Sequence, residues 1–138
     1  MKAVVDTNVI AYLLLNTPDF ADETSGFWRQ ATSVLAPALW EAEIANVIWL
    51  AVRERVLAET EAGRRLRRAG QLGVRSIPTR SLWQGALFRS ISSGVSAYDT
   101  LFVELAVRER VPLVTYDRRL LATYPEIALR PRDIDRAS

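Results

Sequence analysis

Ala3-Val4-Val5-Asp6-Thr7-Asn8-Val9-Ile10-Ala11-Tyr12-Leu13-Leu14-Leu15 is the stretch on which the fold turns. A short β-branched run meets three polar residues and continues apolar, which reads as a buried strand, a turn and a helix. Working outward, Asn16-Thr17-Pro18-Asp19 breaks that helix, and the polar stretch through Ser25 is expected as loop or a short surface helix. Ser33-Val34-Leu35-Ala36 predicts a second strand. Pro37 then opens a long helix over about 38–56, apolar almost all round and so expected to be buried on more than one side. Over 58–73, Ala62, Leu66, Ala69 and Leu72 share one helical face, with Arg64, Arg65, Arg67 and Arg68 on the other. A strand over 74–77 and an amphipathic helix over 81–92, carried by Leu82, Leu87, Phe88 and Ile91, follow. A helix over 96–110, a strand over 112–115, a short helix over 117–123 and a last strand over 127–129 complete the pattern. Strands alternating with helices predict an α/β domain with a central, mostly parallel sheet flanked by helices, and residues 1–138 are expected as one domain.

The composition narrows the chemistry. The 138 residues include no cysteine and no histidine. Disulfides, thiolate nucleophiles, Cys-ligated metals and every Ser-His or Cys-His triad are therefore excluded. The net charge of +2 hides a segregation: residues 1–52 carry two basic and six acidic groups, whereas residues 53–80 carry eight arginines against three glutamates. All basic residues but Lys2 are arginine, whose planar fork suits phosphate. Asp6 arrives too early for a signal-peptide core, and no apolar run is long enough to span a membrane, so a soluble, cytoplasmic protein is expected.

Four acids stand in apolar neighbourhoods. Asp6 ends the first strand and Asp117 the strand at Leu113-Val114-Thr115, which puts both on the edge where parallel sheets bind ligands. Glu43 lies within the long apolar helix, sharing a sector with Asn46, Val47 and Leu50, and Asp99 falls in the first turn of the helix over 96–110. Singly, Asp6 also reads as an Asx turn, Asp117 as an N-cap, and Asp99 as the partner of Ser96 in a capping box. Together they suggest one pocket. Carboxylates converging in a pocket repel and shift upward unless a cation sits among them, and an oxygen-only donor set suits Mg²⁺ or Mn²⁺. Carboxylate-held Mg²⁺ is a common device for phosphodiester hydrolysis, with one ion or two.

These residues also carry a resemblance. Asp6-Thr7-Asn8-Val9-Ile10 resembles the opening motif of PIN-domain ribonucleases, Glu43-Ile44-Ala45-Asn46-Val47 their second, Tyr98-Asp99 with Leu101 their third, and Thr115-Tyr116-Asp117-Arg118-Arg119-Leu120 their fourth. The motifs stand in order over essentially the whole chain, which is similar to the small VapC-type toxins. The resemblance implies a three-layer PIN-like fold and Mg²⁺- or Mn²⁺-dependent endonucleolytic cleavage of RNA. It assigns Asp6, Glu43, Asp99 and Asp117 as the catalytic quartet, with Asp6 and Asp99 as metal ligands and Glu43 and Asp117 completing the cage or orienting the water. Thr7, Asn8, Asn46 and Thr115 become supporting residues around them, each also readable as a cap or turn residue. It further implies homodimers silenced by a cognate VapB-type antitoxin.

The arginines at 64, 65, 67 and 68, with Arg75 and Arg80, are read either as an RNA phosphate footprint or as a solvated helix face. Trp28 and Trp40 are candidates to line a partner groove, although most of the four tryptophans are expected in the core. Two other classes compete. A phosphate-transferring α/β protein also places Asp after its first strand, but those chemistries need a lysine near the phosphoryl group and the only lysine is Lys2. The other is a catalytically silent PIN-like binding module whose acids are caps and ion pairs.

Overall fold

The structure, a computed structural model, describes residues 1–136; the last two residues of the expected domain lie outside it. Five strands form one sheet in the order β3-β2-β1-β4-β5: β1 (Lys2–Val5), β2 (Ser33–Pro37), β3 (Arg75–Ile77), β4 (Leu113–Val114) and β5 (Ala128–Leu129). Every pair is parallel. The expectation of a mostly parallel sheet is met in full. Parallel strands need crossovers, and the helices that supply them are α1 (Thr7–Leu15), α2 (Ala21–Gln30), α3 (Leu39–Arg53), α4 (Glu59–Gly70), α5 (Trp83–Ser93), α6 (Ala97–Glu109) and α7 (Arg118–Thr123). Helices α1, α3 and α4 pack on one another, whereas α6 packs across β1, β2 and β4 with α5 outside it, giving an α/β/α stack of three layers.

The core is continuous through the sheet. Val4, Val5, Leu35, Leu113 and Val114 from the strands are fully buried, covered by Ile10 and Leu14 from α1 and by Phe102 and Leu105 from α6. Strand order reverses at β1. The chain moves outward to β2 and β3 on one side, then returns through α5 and α6 to insert β4 on the other. Such a switch point opens a crevice at the carboxyl ends of β1 and β4. Asp6 stands there directly, its backbone N–H donating to the Val114 carbonyl at 3.0 Å.

Several expectations are corrected. The stretch read as loop or short helix through Ser25 is turn as far as Phe20 and helix from Ala21, and that helix, α2, runs on past Ser25 to Gln30. Asp22 and Glu23 in its first turn and Arg29 in its last suit the helix dipole, and Thr24 and Phe27 bury one side. Helix α3 is not buried on more than one side: Trp40, Ile44, Ile48 and Ala51 form its buried stripe, while Trp49 is 55% exposed. Helix α5 turns its apolar face outward. Leu82 and Ala86 are buried, but Leu87, Phe88 and Ile91 are 52–71% exposed. A helical wheel identifies a face without saying which way it looks. Among the described residues no helix is long and apolar enough to cross a membrane.

Candidate active site

Helices between parallel strands run back across the sheet, so their N-termini collect at the carboxyl edge. Three of the acids exploit this directly: Asp6 is the N-cap of α1, Asp117 the N-cap of α7, and Asp99 lies in the first turn of α6, while Glu43 follows one turn into α3. The positive end of each helix favours a carboxylate there.

Asp6 is the most enclosed, 7% exposed. Its Oδ1 accepts from the Thr7 N–H at 2.8 Å, and its Oδ2 accepts from the Thr115 hydroxyl at 2.7 Å and from Asn8 Nδ2 at 3.3 Å. Thr115, fully buried, also accepts from the Asp117 N–H at 2.9 Å through the same oxygen. The Thr7 hydroxyl donates to Glu43 Oε1 at 2.7 Å, joining α1 to α3. Thr7, Asn8 and Thr115 are thus brought onto the carboxylates. Asn46 is not: it is exposed on α3 and its side chain makes no hydrogen bond to a described residue.

The cap readings hold in part. Asp117 Oδ1 accepts from the Arg119 and Leu120 N–H groups at 2.8 and 3.1 Å, an N-cap. At α6 no capping box forms: the Ser96 hydroxyl caps no backbone group and reaches only Asp99 Oδ2, at 3.4 Å. Three oxygens, Glu43 Oε2, Asp99 Oδ1 and Asp117 Oδ2, accept no hydrogen bond from any described residue.

Electrostatics follow from that geometry. Burial pushes Asp6 up to about 7 against the lowering effect of Thr115 and Thr7, and the charges of Asp99 and Glu43 add to the rise. Burial and then Asp99 raise Glu43, opposed by the Thr7 hydroxyl. Burial and then Asp117 raise Asp99, opposed by Ser96 and Arg119. The three donors around Asp6 serve an ionised carboxylate, yet burial resists ionisation, and a bound cation would resolve the conflict. Oxygen-only donors with three free acceptors suit a hard ion such as Mg²⁺ or Mn²⁺. Among the described residues no three acidic side chains stand close enough together to hold one ion as placed.

Arg119 escaped the sequence reading. Its Nη2 donates to the Gly94 carbonyl at 2.6 Å, tying α7 to the turn before α6, and its charge faces Asp99. Its place two residues after Asp117 was the available signal. The basic band is largely engaged elsewhere. Arg65 donates to the Leu14 carbonyl at the end of α1, Arg64 pairs with Glu61 at 3.3 Å, Arg75 with Glu109 at 3.7 Å, and Arg80 lies over the Trp83 ring. Arg67 and Arg68 are exposed and unpaired among the described residues.

The contribution of Asp6 to the pH dependence of stability has a definite sign. Its folded value lies above the unfolded one, so between about 4 and 7 the folded state holds the extra proton and stability falls as pH rises. Asp6→Asn is expected to stabilise the metal-free protein by about 1 kcal/mol or more near pH 8. Urea denaturation should show the advantage shrinking as pH falls through 7 toward 4; an advantage that grows on acidification contradicts this assignment.

Comparison with known proteins places this arrangement. The chain is 28% identical over 130 residues to Ribonuclease VapC3 of Pyrobaculum aerophilum, covering 92% of this chain and 98% of that protein. Its fold is similar to the crystal structure of PAE2754 from the same organism, with a TM-score of 0.73 at 20% identity over 97% of this chain and 92% of that one. It is also similar to VapBC2 from Rickettsia felis, solved bound to a DNA fragment from its promoter, with a TM-score of 0.64 at 14% identity over 94% and 98% of the two chains. The PIN domain family matches residues 3–125. With Asp6 and Asp117 capping helices at the edge where the sheet reverses and that match spanning most of its length, the chain belongs to the PIN-domain family.

Proposed function

We propose that this protein is an endoribonuclease that hydrolyses RNA phosphodiester bonds with Mg²⁺ or Mn²⁺, the toxin of a VapBC-type toxin–antitoxin pair. The observation that carries the reading is the hydrogen-bonded chain at the crevice between β1 and β4, in which Thr7 joins buried Asp6 to Glu43 and Thr115 joins it to Asp117. The 28% identity to a ribonuclease of matching length supports it. The single sheet and continuous core support a one-domain reading of residues 1–138, and a cytoplasmic location goes with the proposed RNA substrate.

Asp6 and Asp99 would hold the ion, Asp6 oriented by Thr115 and Asn8. When bound, the ion supplies neutralisation of the phosphate charge and polarisation of the attacking water. Glu43, raised above the usual carboxylate range and positioned by Thr7, is suited to take the proton from that water. Asp117 offers Oδ2 to orient the same water while its Oδ1 keeps α7 in place. The silent-module reading is disfavoured by Glu43 and Asp99, which make no cap and no ion pair among the described residues.

Two protein partners belong to this reading. A VapB-type antitoxin would present Arg or Lys to the carboxylates. The groove of about 470 Å³ between α3 and α4, lined by Ala45, Ile48, Trp49, Val52, Ala62 and Leu66, offers its apolar segment a seat on the helix that carries Glu43. The second partner is another copy of this chain. Trp83, Leu87, Phe88 and Ile91 form an exposed apolar row on α5, and a two-fold contact brings such a row against its own equivalent.

Three measurements test the reading. Wild-type protein with Mg²⁺ or Mn²⁺ is expected to cleave RNA, and Asp6→Asn, Asp99→Asn and Glu43→Gln should each lose at least about 100-fold in rate; wild-type rates in all three would remove these residues from the site, and the cognate antitoxin should stop cleavage. Arg67→Ser with Arg68→Ser should weaken RNA affinity and flatten its salt dependence by a slope of about 1–2; an unchanged slope returns the band to a solvated helix face. Light scattering should show a dimer that Leu87→Glu with Ile91→Glu converts to monomer, and a wild-type monomer would reject the pairing.

A further inference from the structure

The residue between Thr115 and Asp117 is held by a part of the molecule remote from the acids. The Tyr116 hydroxyl hydrogen-bonds to Thr24 Oγ1 of α2 at 2.7 Å, and Thr24 is fully buried. The Tyr116 ring packs against Tyr12 and Phe20, with centroids 5.1 and 4.8 Å away, and Tyr12 and Phe20 are themselves stacked at 4.4 Å. The Arg130 guanidinium lies over the same ring at 5.2 Å. It is fixed there by Glu23, which accepts from Arg130 Nε at 3.2 Å and Nη2 at 2.8 Å and from the Arg132 N–H at 3.1 Å. The side chain is thus gripped at its hydroxyl, its ring edges and its ring face.

The backbone of the same residue reaches the site. The Tyr116 N–H donates to Asn8 Oδ1 at 3.4 Å, and Asn8 Nδ2 donates to Asp6 Oδ2. On either side, Thr115 donates to Asp6 and Asp117 caps α7. A rotation of Tyr116 would therefore move three groups that face the crevice. A buried Thr–Tyr hydroxyl pair and a doubly hydrogen-bonded Arg–Glu pair resist such a rotation, because breaking either leaves polar atoms without partners.

Resting on the nuclease reading above, we propose that Tyr116 is a positioning residue: the tie from α2 and the segment after β5 to its side chain sets the placement of Thr115, Asn8 and Asp117 around Asp6. Helix α2 thereby becomes a support of the site without contributing a ligand. The role belongs to Tyr116 through the atoms it holds, and it touches neither substrate nor ion.

The test compares Tyr116→Phe, Thr24→Val, Thr24→Ser and the Tyr116→Phe/Thr24→Val pair in the full chain, reading Mn²⁺ affinity by electron paramagnetic resonance alongside kcat and KM for RNA. Tyr116→Phe and Thr24→Val are each expected to weaken Mn²⁺ binding and lower kcat by roughly tenfold with KM unchanged. The double variant should lose no more than either alone, and Thr24→Ser, which keeps the hydroxyl, should retain wild-type values. Should Tyr116→Phe fail to fold, the contrast between Thr24→Val and Thr24→Ser carries the test. A fall in melting temperature with Mn²⁺ affinity and kcat unchanged overturns the proposal while leaving the nuclease reading intact. If the wild type binds Mn²⁺ but cleaves no RNA, the nuclease reading falls and Mn²⁺ affinity alone decides the tie. A wild type that neither binds Mn²⁺ nor cleaves RNA overturns both.

Discussion

A carboxylate buried at the point where a parallel sheet reverses direction organises this molecule. Asp6 follows β1 without an intervening turn, so its side chain enters the crevice between β1 and β4 where water is excluded. Enclosure there is costly for a charge and has to be answered by donors. Thr7, Asn8 and Thr115 are those donors, and each is tied onward, Thr7 to Glu43, Asn8 to the Tyr116 backbone and Thr115 to the Asp117 backbone. Hydrogen bonds that satisfy one acid thus place two others.

Much of this is legible in the sequence because it is local. The strand, turn and helix at 3–15 follow from residue type alone, and the acids announce themselves by standing at strand ends or beside apolar helix stripes. Asp6 and Glu43, which stand in apolar neighbourhoods, are joined in the fold through Thr7. The order of the strands is less legible, yet alternation alone suffices to predict that Asp6 and Asp117 share an edge.

What stays hidden depends on contacts between distant segments. Thr24 looks like one polar residue among many in a polar stretch, and only the fold shows that its hydroxyl meets Tyr116, 92 residues away. Arg65 reads as one of four equivalent arginines until the end of α1 supplies a carbonyl for it. The outward face of α5 is hidden for another reason: Gly85 and Ala86 are small enough to let the helix backbone approach α6, where Glu104 lies over Gly85, and this displaces the larger apolar side chains to the surface. A hydrophobic pattern read without neighbours assigns the large residues to the core.

The pairing of β1 with β4 has a consequence in time. The hydroxyl that steadies Asp6 comes from a residue 109 positions later, and β4, which lies beside the first strand, follows β2 and β3 in the chain. During synthesis the N-terminal half can form β1 to β3 and their helices, but Asp6 then has an open strand edge beside it and no Thr115, and Asp99 and Asp117 have yet to arrive. Until Thr115 and Asp117 have been made, the acidic site is incomplete. For a protein read as a cutter of RNA, this chain order ties completion of the acidic site to the arrival of β4.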